Sequence, residues 1–151
     1  MRSDKMKEAK MKAGRYCAYQ ERTQQEVRDK LYALGLFQDE VEQVLTELIT
    51  ENYVNEERFA KSYASGKFRI KQWGKRKIIY ALKQKNISSY CIEKALKEIE
   101  EDDYLATIKK LIDKKSSALA GDQFIINKKV SNYMIGKGFE AELVWSILND
   151  R

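Results

Sequence analysis

Proline is absent from this 151-residue sequence, glycine occurs only seven times and cysteine twice. With no helix breaker and an abundance of Lys, Glu, Leu, Ala, Ile and Gln, long helices are favoured over sheets or extended linkers. An all-α fold is expected. Histidine is also absent, which removes Ser-His-Asp and Cys-His nucleophile systems, imidazole acid–base chemistry and His metal sites. Neither a GxxxxGKS/T nor a GxGxxG pattern occurs, so no glycine loop is available to cradle phosphates. The carboxylates show only ordinary surface spacing, so neither an enzyme nor a bound cofactor or metal is expected. No apolar run approaches the roughly 20 residues a membrane span needs, and the start MRSDKMKEAKMKAGR lacks the apolar core of a signal peptide. These features point to a cytosolic chain with no membrane partner. Cys17 and Cys91 are too far apart for a CxxC motif and lie on apolar stripes, where reduced thiols behave as small hydrophobes.

What the sequence does contain is a threefold repeat. Gln25 to Leu48 aligns without a gap on Arg76 to Ile99: Val27, Leu31, Leu36, Val41, Val44, Leu45 and Leu48 fall on Ile78, Leu82, Ile87, Ile92, Ala95, Leu96 and Ile99, at a constant offset of 51. Val130, Met134, Phe139, Val144, Ile147 and Leu148 continue the pattern at an offset of 52 from the second copy. Spacings of three and four describe one helical face, so each copy holds a helical hairpin. Gly35, Asn86 and Gly138 occupy the break between the two helices. Gly and Asn tolerate the left-handed conformation that closes a helix, and the apolar Leu36, Ile87 and Phe139 follow where a Schellman motif packs its post-cap residue. On this basis Gly138→Val should cost about 1–2 kcal/mol.

Helix starts are marked as well. Thr23-Gln24-Gln25-Glu26 matches a capping box, Gly74 takes the place equivalent to Thr23, and Ser89 and Asn127 are weaker cap candidates. A longer helix precedes each hairpin, roughly Lys5 to Glu21, Glu56 to Gln72 and Asp103 to Ala118. Phe59, Tyr63 and Phe68 are expected in the core of the second, and Tyr104, Leu105, Ile108, Leu111 and Ile112 in that of the third. The expected plan is three tandem three-helix repeats, at residues 11–53, 54–101 and 102–151, forming an elongated, curved helical array after an extension at residues 1–10 whose order the sequence leaves open. A compact nine-helix domain is the alternative.

Net charge is +6 but unevenly spread. Residues 31–60 carry seven acids and one base, whereas no acid occurs from Arg58 to Ile92, where ten bases stand: Arg58, Lys61, Lys67, Arg69, Lys71, Lys75, Arg76, Lys77, Lys83 and Lys85. Aromatic and amide groups are interleaved there, including Tyr63, Gln72, Trp73 and Tyr80, as on a surface that meets phosphates and also packs. Lys75-Arg76-Lys77 at a helix N-terminus reads as an anion-attracting element. A plain solvated face is the competing explanation. Glu40, Glu42, Glu47 and Glu51, with the run Glu98-Glu100-Glu101-Asp102-Asp103, form an acidic pole that either meets basic partner loops or keeps a helical surface soluble. Trp73, beside Gly74 and the basic cluster, is a better contact candidate than Trp145.

Asn55-Glu56-Glu57-Arg58-Phe59-Ala60, then Arg69, Trp73-Gly74, Lys77-Ile78, Leu82 and Lys85-Asn86-Ile87, resemble the central signature of the RecX family. Arg22-Thr23, Glu26-Val27, Lys30-Leu31 and Gly35 resemble its first repeat. The resemblance extends from about Lys12 to Asp150. It implies three tandem three-helix units and a non-catalytic protein that lies in the groove of a RecA recombinase filament, touches recombinase and DNA, and blocks ATP hydrolysis, strand exchange and coprotease activity. Two positions depart from the pattern: Asn86 replaces a usual glycine and Asn55 a common aspartate. Asn can serve both as a left-handed cap and as an N-cap. The site expected from these readings is Arg58, Lys67, Arg69, Lys71, Trp73, Lys75, Arg76 and Lys77. The partners expected are the RecA filament and single- or double-stranded DNA through phosphate contacts, with the chain itself a monomer. A helical nucleic-acid-binding protein without a recombinase partner is the alternative, and a helical adaptor whose charge is incidental is a third reading.

Overall fold

The computed structural model describes residues 2–150. Among these there are nine helices and no strand: α1 (Arg2–Tyr19), α2 (Gln24–Ala33), α3 (Gln38–Thr50), α4 (Glu56–Arg69), α5 (Lys75–Gln84), α6 (Ser89–Lys97), α7 (Glu101–Ser117), α8 (Gln123–Gly136) and α9 (Ala141–Asn149). The long helix expected from Lys5 begins at Arg2, so the segment whose order was open is helical from there, while Met1 lies outside the described residues. The chain divides into two compact units, with the boundary between Ser62 and Tyr63 inside α4.

In the first unit α1, α2 and α3 pack on one another. Ala9, Ala13, Cys17, Val27, Leu31, Leu36, Val41, Val44, Leu45, Leu48 and Val54 form its core. The small residues Ala9, Ala13 and Cys17 recur every four positions, which puts them on one face of α1 and allows close approach of the hairpin. Both cysteines are buried, reduced thiols, and burial raises the pKa of Cys17. In the second unit α5 packs on α6, and α7, α8 and α9 pack together. Helices α7 and α8 pack on each other, and Tyr104, Ile108, Leu111 and Ile112 of the first and Ile126, Val130 and Met134 of the second are buried. Leu105 and Tyr63, expected in the core, are only half-buried.

The three repeat breaks close alike. Gly35, Asn86 and Gly138 have φ of 93°, 62° and 98°. After each, the post-cap N–H reaches back to the third-last helical carbonyl: Leu36 to Leu31 (3.3 Å), Ile87 to Leu82 (3.1 Å) and Phe139 to Met134 (3.2 Å). Gly35, Asn86 and Gly138 themselves donate to Tyr32, Lys83 and Ile135 at 2.9, 3.0 and 2.9 Å. These are complete Schellman motifs, so the repeat encodes a backbone conformation as well as an apolar face. Asn52, with φ 66°, ends α3 in the same manner.

Helix starts agree in part with expectation. Thr23 Oγ1 accepts from the Glu26 N–H and the Glu26 carboxylate accepts from the Thr23 N–H, both at 3.0 Å, a reciprocal capping box. Asn55 caps α4 by accepting from the Arg58 N–H at 2.9 Å, so the departure from aspartate keeps the capping role. Two expectations are corrected. The cap of α6 is Ser88, whose Oγ accepts from the Cys91 N–H, and not Ser89, which is already helical. The cap of α8 is Asp122, accepting from the Phe124 N–H at 2.8 Å, and Asn127 lies inside the helix.

Candidate nucleic-acid interface

The acid-free stretch covers the end of α4, the connection at residues 70–74 and all of α5. Why α5 starts at Lys75 is a matter of tertiary contact. Gly74 supplies no side-chain cap. Instead, its N–H donates to the Lys137 carbonyl at 2.8 Å and the Arg76 N–H donates to the Gly138 carbonyl at 2.9 Å. The intervening Lys75 N–H donates to the Tyr104 hydroxyl at 3.0 Å. Three of the N–H groups that a helix start leaves orphaned are thus taken by the third repeat. The first three backbone donors at the start of α5 are therefore occupied within the protein, which leaves the side chains of Lys75, Arg76 and Lys77 as the main attraction for an anion there.

The approach is close enough to require glycine on both sides. A Cβ on Gly74 would lie 2.2 Å from the Gly138 carbonyl carbon and from the Phe139 nitrogen, and one on Gly138 would lie 2.3 Å from Lys77 Cβ. Gly138 therefore serves twice, as a left-handed cap and as a docking surface, and substitution there costs more than the left-handed penalty alone. Tyr104 completes the joint. It is 2% exposed, donates its hydroxyl proton to Glu140, and its ring lies 5.7 Å from that of Phe68 and 5.5 Å from that of Phe139. Burial first, then the bond to Glu140, pushes its pKa far above the ordinary phenolic value.

The structure sorts the eight expected site residues into three environments. Arg58 is committed internally: its Nε donates to Glu21 at 2.6 Å and its Nη2 to the carbonyls of Asn52 and Tyr53 at 3.0 and 3.2 Å. Lys67, Trp73, Lys75 and Lys77 are laid against rings. Lys75 Nζ lies 4.5 Å from the Tyr104 centroid, Lys77 Nζ 4.5 Å and Lys67 Nζ 4.9 Å from that of Trp73. Arg69, Lys71 and Arg76 are exposed at the surface. Arg69 Nε donates to Ser65 Oγ at 3.2 Å, and the Lys71 carbonyl accepts from Lys137 Nζ at 3.3 Å. Apart from Arg58, none of the basic residues in this set pairs with a carboxylate among the described residues. Tyr63 belongs with them, because Lys67 and Lys85 lie 5.3 and 5.7 Å from its centroid. Its helical spacing suggested only a core position; the signal for more was its place within the basic run.

The acidic pole of the first unit is not free. Glu40 is 2% exposed and accepts from the Phe37 N–H at 2.8 Å, so it is a helix-start group and not a surface acid. Glu42 pairs with Arg28 at 2.9 Å, and Glu51 and Glu47 with Lys10 at 2.6 and 3.8 Å. Glu101, Asp102 and Asp103 occupy the first turn of α7, where the helix dipole favours them. No helix among the described residues is long and apolar enough to cross a membrane.

Comparison with known proteins places this architecture. Family profiles described as the first, second and third three-helix domains of RecX match residues 9–48, 55–96 and 101–148. "Regulatory protein RecX" of Prosthecochloris aestuarii is 30% identical over 135 residues, spanning 89% of this chain and 87% of that protein. The protein of the same name from Clostridium perfringens strain 13 is 30% identical over 130 residues, and the match spans 84% of this chain but 60% of that longer relative. The crystal structure of RecX from Lactobacillus salivarius has the same fold, with a TM-score of 0.89 at 23% identity, covering 98% of this chain and 97% of that one. Three helical domains in matching order, and a relative alike along almost its whole length, show that the chain belongs to the RecX family of regulatory proteins.

Proposed function

We propose that this chain binds the RecA filament on DNA and restrains it, lowering ATP hydrolysis, strand exchange and coprotease activity, and so modulates recombination and DNA repair. The observation that carries the reading is the basic surface of the second repeat, in a chain of the RecX family. Arg69, Lys71, Lys75, Arg76 and Lys77 make no carboxylate pair among the described residues, so each is available to a phosphate. Such contacts give affinity without base selectivity and a steep salt dependence. Units at residues 11–53, 54–101 and 102–151 divide the work, with the second facing DNA or filament. Several weak contacts on one chain gain from high effective concentration. In this reading the protein acts in the cytosol as a monomer, as a regulator and not an enzyme.

The test is RecA ATP hydrolysis on single-stranded DNA at fixed salt, with this protein added from substoichiometric amounts upward. Loss of hydrolysis at low ratios is expected. Unchanged hydrolysis with intact DNA binding would replace this reading by that of a nucleic-acid-binding protein without a recombinase partner.

A further inference from the structure

We infer that Tyr63 and Trp73, together with the lysines laid on them, form a track that selects single-stranded over double-stranded nucleic acid by stacking its bases. This rests on the proposal that the basic surface of the second repeat meets DNA. Ammonium groups and rings alternate without a gap: Lys85 to Tyr63 (5.7 Å), Tyr63 to Lys67 (5.3 Å), Lys67 to Trp73 (4.9 Å) and Trp73 to Lys77 (4.5 Å). The track runs over α4, the connection and α5, and no acid lies anywhere in residues 59–92.

An unpaired strand presents the complementary alternation, with flat bases set between phosphates, whereas a duplex hides the faces of its bases. A base stacked on an aromatic ring is worth more than an exposed ammonium held over it, so an incoming base displaces the lysine from the ring. The displaced ammonium then meets the adjoining phosphate, and no charge is left unpaired. Lys67 and Lys77 are free to make that exchange, since neither side chain has a hydrogen bond or ion pair among the described residues.

The first repeat shows what a closed version looks like. The positions equivalent to Lys67 and Trp73 are Tyr16 and Arg22, with cation and ring exchanged. There the guanidinium lies 3.6 Å from the Tyr16 centroid, and Arg22 Nε also donates to the Tyr16 carbonyl at 3.1 Å. That extra bond ties the cation in place. The second repeat puts the ring on the connection and leaves the cations untied.

Trp73 reports on its own occupancy once Trp145, which lies outside the track, is replaced by Phe. With Trp145→Phe protein, a short oligothymidylate is expected to quench the remaining fluorescence, and a duplex of equal length at the same salt to leave it nearly unchanged. Tyr63→Leu with Trp73→Leu should weaken single-strand binding about tenfold while duplex affinity changes less than about twofold. Trp73→Phe, which keeps a stacking face, should restore most of the loss and serves as the check if the double variant does not fold. Equal quenching by both nucleic acids, or single-strand binding without quenching, would overturn the inference while leaving the basic surface as the DNA contact. Absence of any DNA binding by the parent protein would remove both.

Discussion

Helices α2 and α5 start at equivalent places in the repeat, 51 residues apart, yet they are held by opposite means. At α2 the sequence closes the helix on itself, with Thr23 and Glu26 exchanging hydrogen bonds over three residues. At α5 the cap is glycine, and the donors go to Lys137, Tyr104 and Gly138, far away in the chain. The same slot is thus a local cap in one repeat and a joint between repeats in the other. The lesson is that Gly74 is not a weakened capping residue: its missing side chain is what lets the third repeat reach the backbone.

Exchanging the two residues gives the sharpest contrast. Gly74→Thr, which installs the better cap, is expected to destabilise the protein by more than about 3 kcal/mol, through a buried clash and loss of two backbone hydrogen bonds. Thr23→Gly should cost only a few tenths of a kcal/mol and Thr23→Ala about 1 kcal/mol, both measured by urea denaturation. A gain in stability for Gly74→Thr would mean that the two starts are held alike after all. Gly138→Val should match Gly74→Thr in size, well above the roughly 1–2 kcal/mol of the left-handed term alone.

Next in size is the tyrosine at the joint. Tyr104→Phe removes the acceptor of the Lys75 N–H and the donor to Glu140, at a cost of about 1–3 kcal/mol. The effect has a pH signature. Because the native pKa of Tyr104 is raised, the native state holds the phenolic proton more tightly than the unfolded chain does. Its contribution is fully present below the unfolded value of about 10 and is lost as pH rises above it. Melting temperatures of wild type and Tyr104→Phe should therefore converge from about pH 10 upward, and parallel curves would contradict the assignment.

The smallest effect belongs to the first unit. Arg28→Ala breaks the pair with Glu42, both partly exposed, and should cost no more than about 0.2–1 kcal/mol, with the difference shrinking as salt is added. A larger, salt-independent loss would indicate packing by the arginine stem.

Features repeated at fixed spacing were legible in the sequence. Gly35, Asn86 and Gly138 announced three left-handed helix ends because the residue type and the following apolar residue recur together. Ser88 and Asp122 are not legible as caps for different reasons: Ser88 stands at the repeat equivalent of Phe37, but two adjacent serines there offer the same chemistry, whereas α8 starts ahead of the repeat-equivalent position. The joint at Gly74 was hidden more deeply, since nothing local distinguishes a glycine that caps from one that admits another backbone. The same blindness made Lys75-Arg76-Lys77 look like an open helix start and Glu40 look like a surface acid. Of the basic run, the charge pattern was legible from residue type alone. That Arg58 is bound to Glu21, while Tyr63 joins the surface, depends on contacts that spacing does not encode.

The central claim, that the exposed bases of the second repeat restrain the recombinase filament, is tested most directly by reversing those bases that play the least part in the fold. Arg69, Lys71 and Arg76→Glu, checked for unchanged melting temperature, should be titrated against RecA ATP hydrolysis on single-stranded DNA beside the wild type. Wild type that inhibits and a folded variant that no longer does is the predicted result; full inhibition by the variant would contradict the account.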